Sequence, residues 1–219
     1  MKRLALILTI LVAAASCALS AADAPKRQGW DNKTPLYGNV ESVTVTRYSL
    51  KDSSGVLSRG KIEEKFCYNF NQSGDVTEKA KYNSDGLLDY KLTSKYDTKG
   101  NMTEASLYNS DGSLSGKKIY KYDTQGNTTE ASLYNSDGPL GGKVIAKYDS
   151  KGNKSEEVSY NSDGSLWYKN IYKYDSKGNK TEASTYNSDG SLEEKNIYKY
   201  DSKGNITEIT EYELQPTSQ

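Results

Sequence analysis

The sequence contains no histidine among its 219 residues, so it lacks the side chain that most often serves as general base and metal ligand. Cysteine is nearly absent: Cys17 and Cys67 are the two copies, and Cys17 lies in the leader described below. Lysine and arginine together number 29, and aspartate and glutamate together also number 29, which leaves no basic field for nucleic acid. We therefore predict no metal, no cofactor and no nucleic-acid partner.

Long apolar runs are also missing. The longest apolar segment, Leu4–Ala15, is too short for a membrane-spanning helix. It follows Lys2 and Arg3 and precedes the small residues Ser20-Ala-Ala22, a pattern typical of a secretory signal peptide. We predict that residues 1–22 are a signal peptide and that the protein is exported from a bacterial cell, either secreted, periplasmic or at the cell surface.

The leader contains a candidate lipidation site at Cys17. The segment Ala14-Ala-Ser-Cys17 resembles a bacterial lipobox, with alanine in place of the usual leucine three residues before the cysteine. Plain cleavage is the preferred interpretation and lipidation the alternative. Contact with a membrane is expected only if Cys17 is lipidated, and a single acyl chain binds membranes weakly.

The remaining chain divides by composition. Residues 23–36 contain Pro25, Gly29 and Pro35 and are predicted to form a linker. Residues 37–213 form the predicted β-repeat domain, whose first hairpin (39–70) is rich in β-branched and aromatic residues and resembles a terminal cap. Residues 214–219 form a short tail.

Two motifs alternate along the domain, each with a spacing of 26 residues or a multiple of it. The first, Tyr-Lys-Tyr-Asp-x-x-Gly-Asn, is complete at Tyr120–Asn127, Tyr172–Asn179 and Tyr198–Asn205. The second, Tyr-Asn-Ser-Asp-Gly, begins at Tyr82, Tyr108, Tyr134, Tyr160 and Tyr186. Repetition at this period indicates one structural unit copied in series.

Both motifs contain the same turn signal. An Asp or Asn followed three residues later by Gly is typical of a type I turn that ends in a left-handed glycine, as in bulged hairpin loops. Twelve such turns, from Asp52 to Asp201, imply about 13 strands. The predicted fold is all-β: an antiparallel meander of 26-residue double-hairpin repeats in one twisted, curled sheet.

The spacing of the turns predicts which side chains share a face. Successive turns from Asn83 onward are an even number of residues apart, and of the 19 tyrosines all but Tyr37 have even numbers. Because side chains alternate along a strand, we expect one face to carry nearly all the tyrosines. The same arithmetic places three tyrosines opposite three glutamates: Tyr120 and Glu130, Tyr172 and Glu182, Tyr198 and Glu208.

The first motif resembles the YD repeat of the RHS family, found in bacterial surface and toxin-shell proteins. The resemblance covers roughly residues 75–212, with incomplete copies that have Ser94 or Ala146 in place of the first tyrosine. It implies a curled β-sheet of the kind that forms the shell around a toxin domain. This chain is small and no toxin-like segment follows the repeats, so we do not expect it to enclose a toxin.

These observations predict a non-enzymatic, exported scaffold or interaction protein at the cell envelope. A catalytic site is singular, whereas the carboxylates here recur once per repeat, so we predict no catalytic residues. The alternative is a glycan- or cell-wall-binding module. Aromatic rings beside carboxylates suit sugars, so its candidate binding residues are the three tyrosines and three glutamates paired above. The expected partner is an unidentified protein or an envelope glycan.

Overall fold

The computed structural model describes residues 7–14, 36 and 38–213. All regular elements among these residues are strands, joined in chain order into one antiparallel meander. The strands are β1 (Ile7–Ala14), β2 (Val40–Ser53), β3 (Val56–Phe70), β4 (Val76–Tyr82), β5 (Leu88–Tyr96), β6 (Met102–Asn109), β7 (Leu114–Tyr122), β8 (Thr128–Asn135), β9 (Leu140–Tyr148), β10 (Lys154–Asn161), β11 (Leu166–Tyr174), β12 (Lys180–Tyr186), β13 (Leu192–Tyr200) and β14 (Ile206–Glu213).

The predicted fold class is confirmed, with thirteen strands between Val40 and Glu213. One further strand, β1, falls within the predicted signal peptide and pairs with β2 from Ile7 opposite Tyr48 to Ala14 opposite Val40. By internal contacts the chain divides into two compact units, Met1–Lys117 and Lys118–Gln219. The described residues include no helix that could cross a membrane. Cys17, the linker apart from Leu36, and the tail lie outside the described residues.

The repeat turns form as predicted, and the turn at Asp175 shows how. The Asp175 N–H donates to Asn179 O at 2.9 Å, and the Gly178 N–H donates to Asp175 O at 3.1 Å. The Asp175 carboxylate also accepts the backbone N–H groups of Lys177 and Asn179. Gly178 has φ +89°, a conformation in which a side chain is disfavoured. The turn after Asp52 differs, because Ser53 pairs directly with Val56 and leaves a two-residue loop.

Every repeat hairpin whose pairing is described contains a β-bulge just after its turn. Tyr174 lies opposite Lys180, but the next pair is Lys173 with Glu182, so Thr181 is left without a partner. An extra residue in one strand shifts the register by one. Odd-numbered residues on one strand therefore share a face with even-numbered residues on the next.

The bulges make the predicted single tyrosine face wrong. Tyr172 lies opposite Ala183, not Glu182, and Tyr198 lies opposite Ile209, not Glu208. One face, which we call the YD face, carries both tyrosines of each YD motif. The other, the lysine–glutamate face, carries the repeated glutamates and the tyrosines that precede Asn-Ser-Asp-Gly, such as Tyr186 opposite Lys169.

The apolar core is centred on the first hairpin and includes Leu36 before it and Val76 after it. Its buried residues are Leu36, Val40, Val43, Val45 and Tyr68, with Phe66, Phe70 and Val76 packed against them. Val43 is completely buried. In the repeats the buried positions hold small residues: Ala80, Ser94, Ser106, Ser132, Ala146, Ser159 and Ser184. The first hairpin therefore has the large buried apolar side chains that we expect of a terminal cap.

Candidate functional site: the two faces of the repeat sheet

The second tyrosine of the YD motif has a structural role on the YD face. The Tyr174 hydroxyl donates to the carbonyl oxygen of Lys154 at 2.8 Å, linking two hairpins across 20 residues. Tyr96, Tyr148 and Tyr200 make the same bond in their own repeats. Burial raises the pKa of the Tyr174 hydroxyl, which keeps it protonated as a donor.

The first tyrosine of the motif is placed differently. Tyr172 and Tyr198 are half-buried in mid-strand, and the Lys180 ammonium lies over both rings, 5.5 and 5.6 Å from their centroids. Such contacts are attractive because the ring face is electron-rich. The hydroxyls of Tyr120, Tyr172 and Tyr198 make no hydrogen bond within the described part of the chain. These three candidates therefore present unused hydroxyl groups on one face.

The glutamate candidates form an ion-pair ladder on the opposite face. Glu182 bonds Lys173 at 3.0 Å and Lys195 at 3.2 Å, one lysine from each neighbouring strand. Glu130 pairs with Lys121 at 3.1 Å and Glu208 with Lys199 at 3.0 Å. The hydrogen bond from Lys173 is the main reason that the pKa of Glu182 lies below its usual value. The ladder gives these carboxylates a structural role.

The structure therefore separates the six candidate residues into two groups. The register puts Tyr172 and Tyr198 on one face and Glu182 and Glu208 on the other, so the tyrosine–glutamate pairs expected for sugar binding do not form. Binding by the tyrosines stays a prediction, now without these three glutamates beside them. The described residues hold no group of three potential metal ligands.

The regular pattern of the YD face is interrupted by a depression in the unit 118–219. It encloses about 380 Å³ and is lined by Tyr120, Leu133, Gly142, Val144, Trp167 and Tyr168, among others. The other repeats have Tyr90, Gly116, Tyr168 or Glu194 at the position of Gly142, so this repeat is one of two without a side chain there. The exposed Trp167 ring meets Tyr168 edge-on, with centroids 5.1 Å apart.

Sequence reasoning missed this depression, although Gly141-Gly142 was a usable signal. Paired glycines in a strand often mark a close approach of backbone or ligand. Ser159, which also lines the depression, is buried, and its hydroxyl has no hydrogen-bond partner among the described residues. Tyr120 is the one predicted candidate that borders it.

Cys67 in β3 is half-buried. Its sulfur lies 3.7 Å from the Thr44 hydroxyl on the neighbouring strand β2.

No family model and no curated protein matches this chain. Among solved structures, the chain is similar to the crystal structure of TcdB2-TccC3, with 16% identity over 80% of this chain and a TM-score of 0.45. This chain spans 11% of the length of that one. It is also similar to a porin-like protein from Bacteroides uniformis, with 9% identity over 80% of this chain and 84% of that one, and a TM-score of 0.39. Similarity at this level does not assign the chain to a family.

Proposed function

We propose that this protein is a non-enzymatic, exported β-repeat protein that serves as a structural or interaction scaffold at the cell envelope. The observation that carries the proposal is that the repeated polar side chains make structural contacts within the sheet. The YD aspartates hold turns, the second YD tyrosines hold neighbouring hairpins together, and the glutamates hold lysines. Each role recurs from repeat to repeat, as expected for a scaffold.

The proposal that the protein is exported depends on the leader sequence, residues 1–22. Its charge pattern and small residues before position 23 support secretion, and the YD-like repeats resemble those of bacterial surface proteins. The mass of the native protein isolated from its source cells tests this point. Cleavage after Ala22 would support plain secretion, whereas a diacylglycerol adduct on Cys17 would support membrane anchoring. A full-length protein that stays in the cytoplasm would contradict export.

A second candidate function is glycan binding by the YD face. The depression favours it, because Tyr120, Trp167 and Tyr168 combine aromatic rings with hydroxyl groups in one concavity. In this form of the glycan-binding hypothesis the three candidate glutamates do not contact the glycan, since they lie on the lysine–glutamate face.

A pull-down of residues 23–219 on purified cell-wall polysaccharide and a panel of soluble glycans distinguishes the two functions. The test variant replaces Tyr120, Tyr172 and Tyr198 with alanine. The matched control replaces Tyr134 and Tyr186, which lie on the lysine–glutamate face. Saturable binding lost in the test variant alone would support the glycan module. No binding by folded protein would favour the scaffold with a protein partner, and turnover of any polymer would contradict both.

A further inference from the structure

Strand β14 resembles the inner short strands but has a single hydrogen-bonded neighbour, β13. The inner strand β12 lies between two long strands, β11 and β13. Both short strands follow an asparagine, contain Thr-Glu and reach a tyrosine at the same position, Tyr186 in β12 and Tyr212 in β14. Strand β14 thus has a sequence typical of a strand that pairs on both sides. Its outer edge, however, has no partner among the described strands.

Three large side chains along this edge are exposed and largely apolar. Ile206, Ile209 and Tyr212 are 53%, 50% and 52% exposed, whereas the matching residues of β12 are half-buried. An uncovered edge strand offers its backbone N–H and C=O groups to another strand, and apolar side chains beside the edge add burial to that pairing.

The charges on β14 indicate what kind of strand would fit. Glu182 on β12 bonds two lysines, and its side chain is 19% exposed. Glu156 on β10 likewise bonds Lys147 and Lys169. Glu208 on β14 pairs with Lys199 alone among the described residues, as Glu130 on the inner strand β8 does with Lys121, but the Glu208 side chain is 51% exposed and that of Glu130 23%. The position that Lys195 fills for Glu182 is thus unfilled for Glu208.

The remaining charges disfavour an identical edge as the partner. Glu211 and Glu213 add two more carboxylates to β14, and like charges on paired strands repel. A strand carrying lysine is favoured for the same reason. The long strands of this chain have the required pattern, Leu-x-x-Lys-x-Ile-x-Lys-Tyr, as β11 and β13 show.

We propose that the outer edge of β14 binds an antiparallel strand of a second β-repeat polypeptide that carries this lysine pattern. In β12, Glu182 lies opposite Ile197, and Lys195 two residues earlier reaches its carboxylate. The incoming strand places its isoleucine opposite Glu208 in the same way, and its first lysine completes the ion pair. This recognition mode is β-strand addition.

A labelled peptide with the sequence of residues 166–174, which has Tyr168 rather than a glutamate facing Glu211, tests the proposal on purified protein, independently of where the protein resides. We expect saturable binding by fluorescence anisotropy and slowed amide hydrogen exchange in β14. A peptide with its fourth residue, lysine, changed to glutamate should bind more weakly. The Glu208→Gln variant should weaken binding of the parent peptide about two- to fivefold, as for other exposed ion pairs. Glu182→Gln, the matched control on an inner strand, should leave binding unchanged.

The proposal is overturned if folded protein does not bind the peptide, or if the slowed exchange lies outside β14. It is also overturned if Glu182→Gln weakens binding as much as Glu208→Gln. Self-association through β14 without peptide, seen by sedimentation and abolished by Ile209→Asp, would replace the lysine-bearing partner with a second copy of the same edge.

Discussion

The first hairpin and the repeats are held together by different interactions. In β2 and β3, large apolar side chains pack into a cluster in which Val43 is completely buried. In the repeats the buried residues are alanine and serine, and the contacts that recur are turn hydrogen bonds, tyrosine hydroxyl bonds and lysine–glutamate pairs. Stability in the hairpin is therefore concentrated in a few side chains, whereas in the repeats it is spread over many small contributions.

This difference predicts the relative sensitivity of the two regions to substitution. A substitution in the apolar cluster removes buried apolar surface, and no equivalent residue elsewhere in the chain replaces it. A change in one repeat removes one of several equivalent interactions.

Val43→Ala should have the largest effect. It removes two methyl groups from the apolar cluster, and we expect unfolding free energy to fall by about 1.5–3 kcal/mol. Chemical denaturation measures the change. Val56→Ala in the same hairpin is the control, because Val56 is 68% exposed and should be nearly neutral. Equal effects for the two variants would contradict a concentrated core.

Gly178→Ala should destabilise a repeat turn through backbone strain. Gly178 has φ +89°, and a Cβ there would meet Asn153 Oδ1 at an ordinary 3.8 Å, so the penalty is conformational rather than steric. We expect a loss of about 1–2 kcal/mol in thermal or chemical unfolding. Ser176→Ala in the same turn is the control. A neutral Gly178→Ala would show that the left-handed glycine is not required.

Tyr174→Phe should cost about 0.5–1.5 kcal/mol, because it removes one hydrogen bond to the Lys154 carbonyl and keeps the ring. Tyr172→Phe is the matched control two residues away, since the Tyr172 hydroxyl is unbonded within the described chain. Denaturant midpoints measure both. A larger loss for Tyr172→Phe would reverse the roles assigned to the two YD tyrosines.

Glu182→Gln should have the smallest effect, less than about 1 kcal/mol at neutral pH, because its lysine partners are partly exposed and solvent screens the pairs. The hydrogen bonds from Lys173 and Lys195 lower the pKa of Glu182 in the folded protein. The carboxylate therefore stabilises the fold above the ordinary glutamate pKa of about 4.3, and this contribution is lost as the pH falls below it.

Unfolding measured between neutral and acidic pH tests the sign of this effect. The Glu182→Gln variant should lose less stability on acidification than the parent protein. Glu41→Gln, at an exposed residue with no ion pair in the described chain, is the control. A parent protein that becomes more stable as the pH falls through this range would contradict the role of the ladder.

Sequence reasoning identified the turns but not the faces. Asp or Asn with Gly three residues later is a local signal, and the repeat turns form where that signal predicts them. The bulge that follows each turn has no such signal, because ordinary residues such as Thr181 and Trp167 occupy it. Since one extra residue reverses the alternation, a correct set of turns still led to the wrong grouping of tyrosines with glutamates.

The depression could not be found from repetition, because it arises where the repeat departs from its pattern. Gly142 and Val144 occupy positions held by Tyr168 and Asn170 in the next repeat. The volume of the depression depends on side chains from several strands. Whether those side chains lie on the same face is determined by the pairing register, which the bulges shift.

The register is the central claim, and paired cysteines test it most directly in a protein with Cys67→Ser and residues 1–22 removed. Cross-strand disulfides require neighbouring Cβ atoms about 3.5–4.5 Å apart. We expect Tyr172→Cys with Ala183→Cys to oxidise readily to a disulfide, and Tyr172→Cys with Glu182→Cys to remain reduced under the same conditions. Rapid oxidation of the second pair, with the first remaining reduced, would place tyrosine and glutamate on one face and contradict the bulged register.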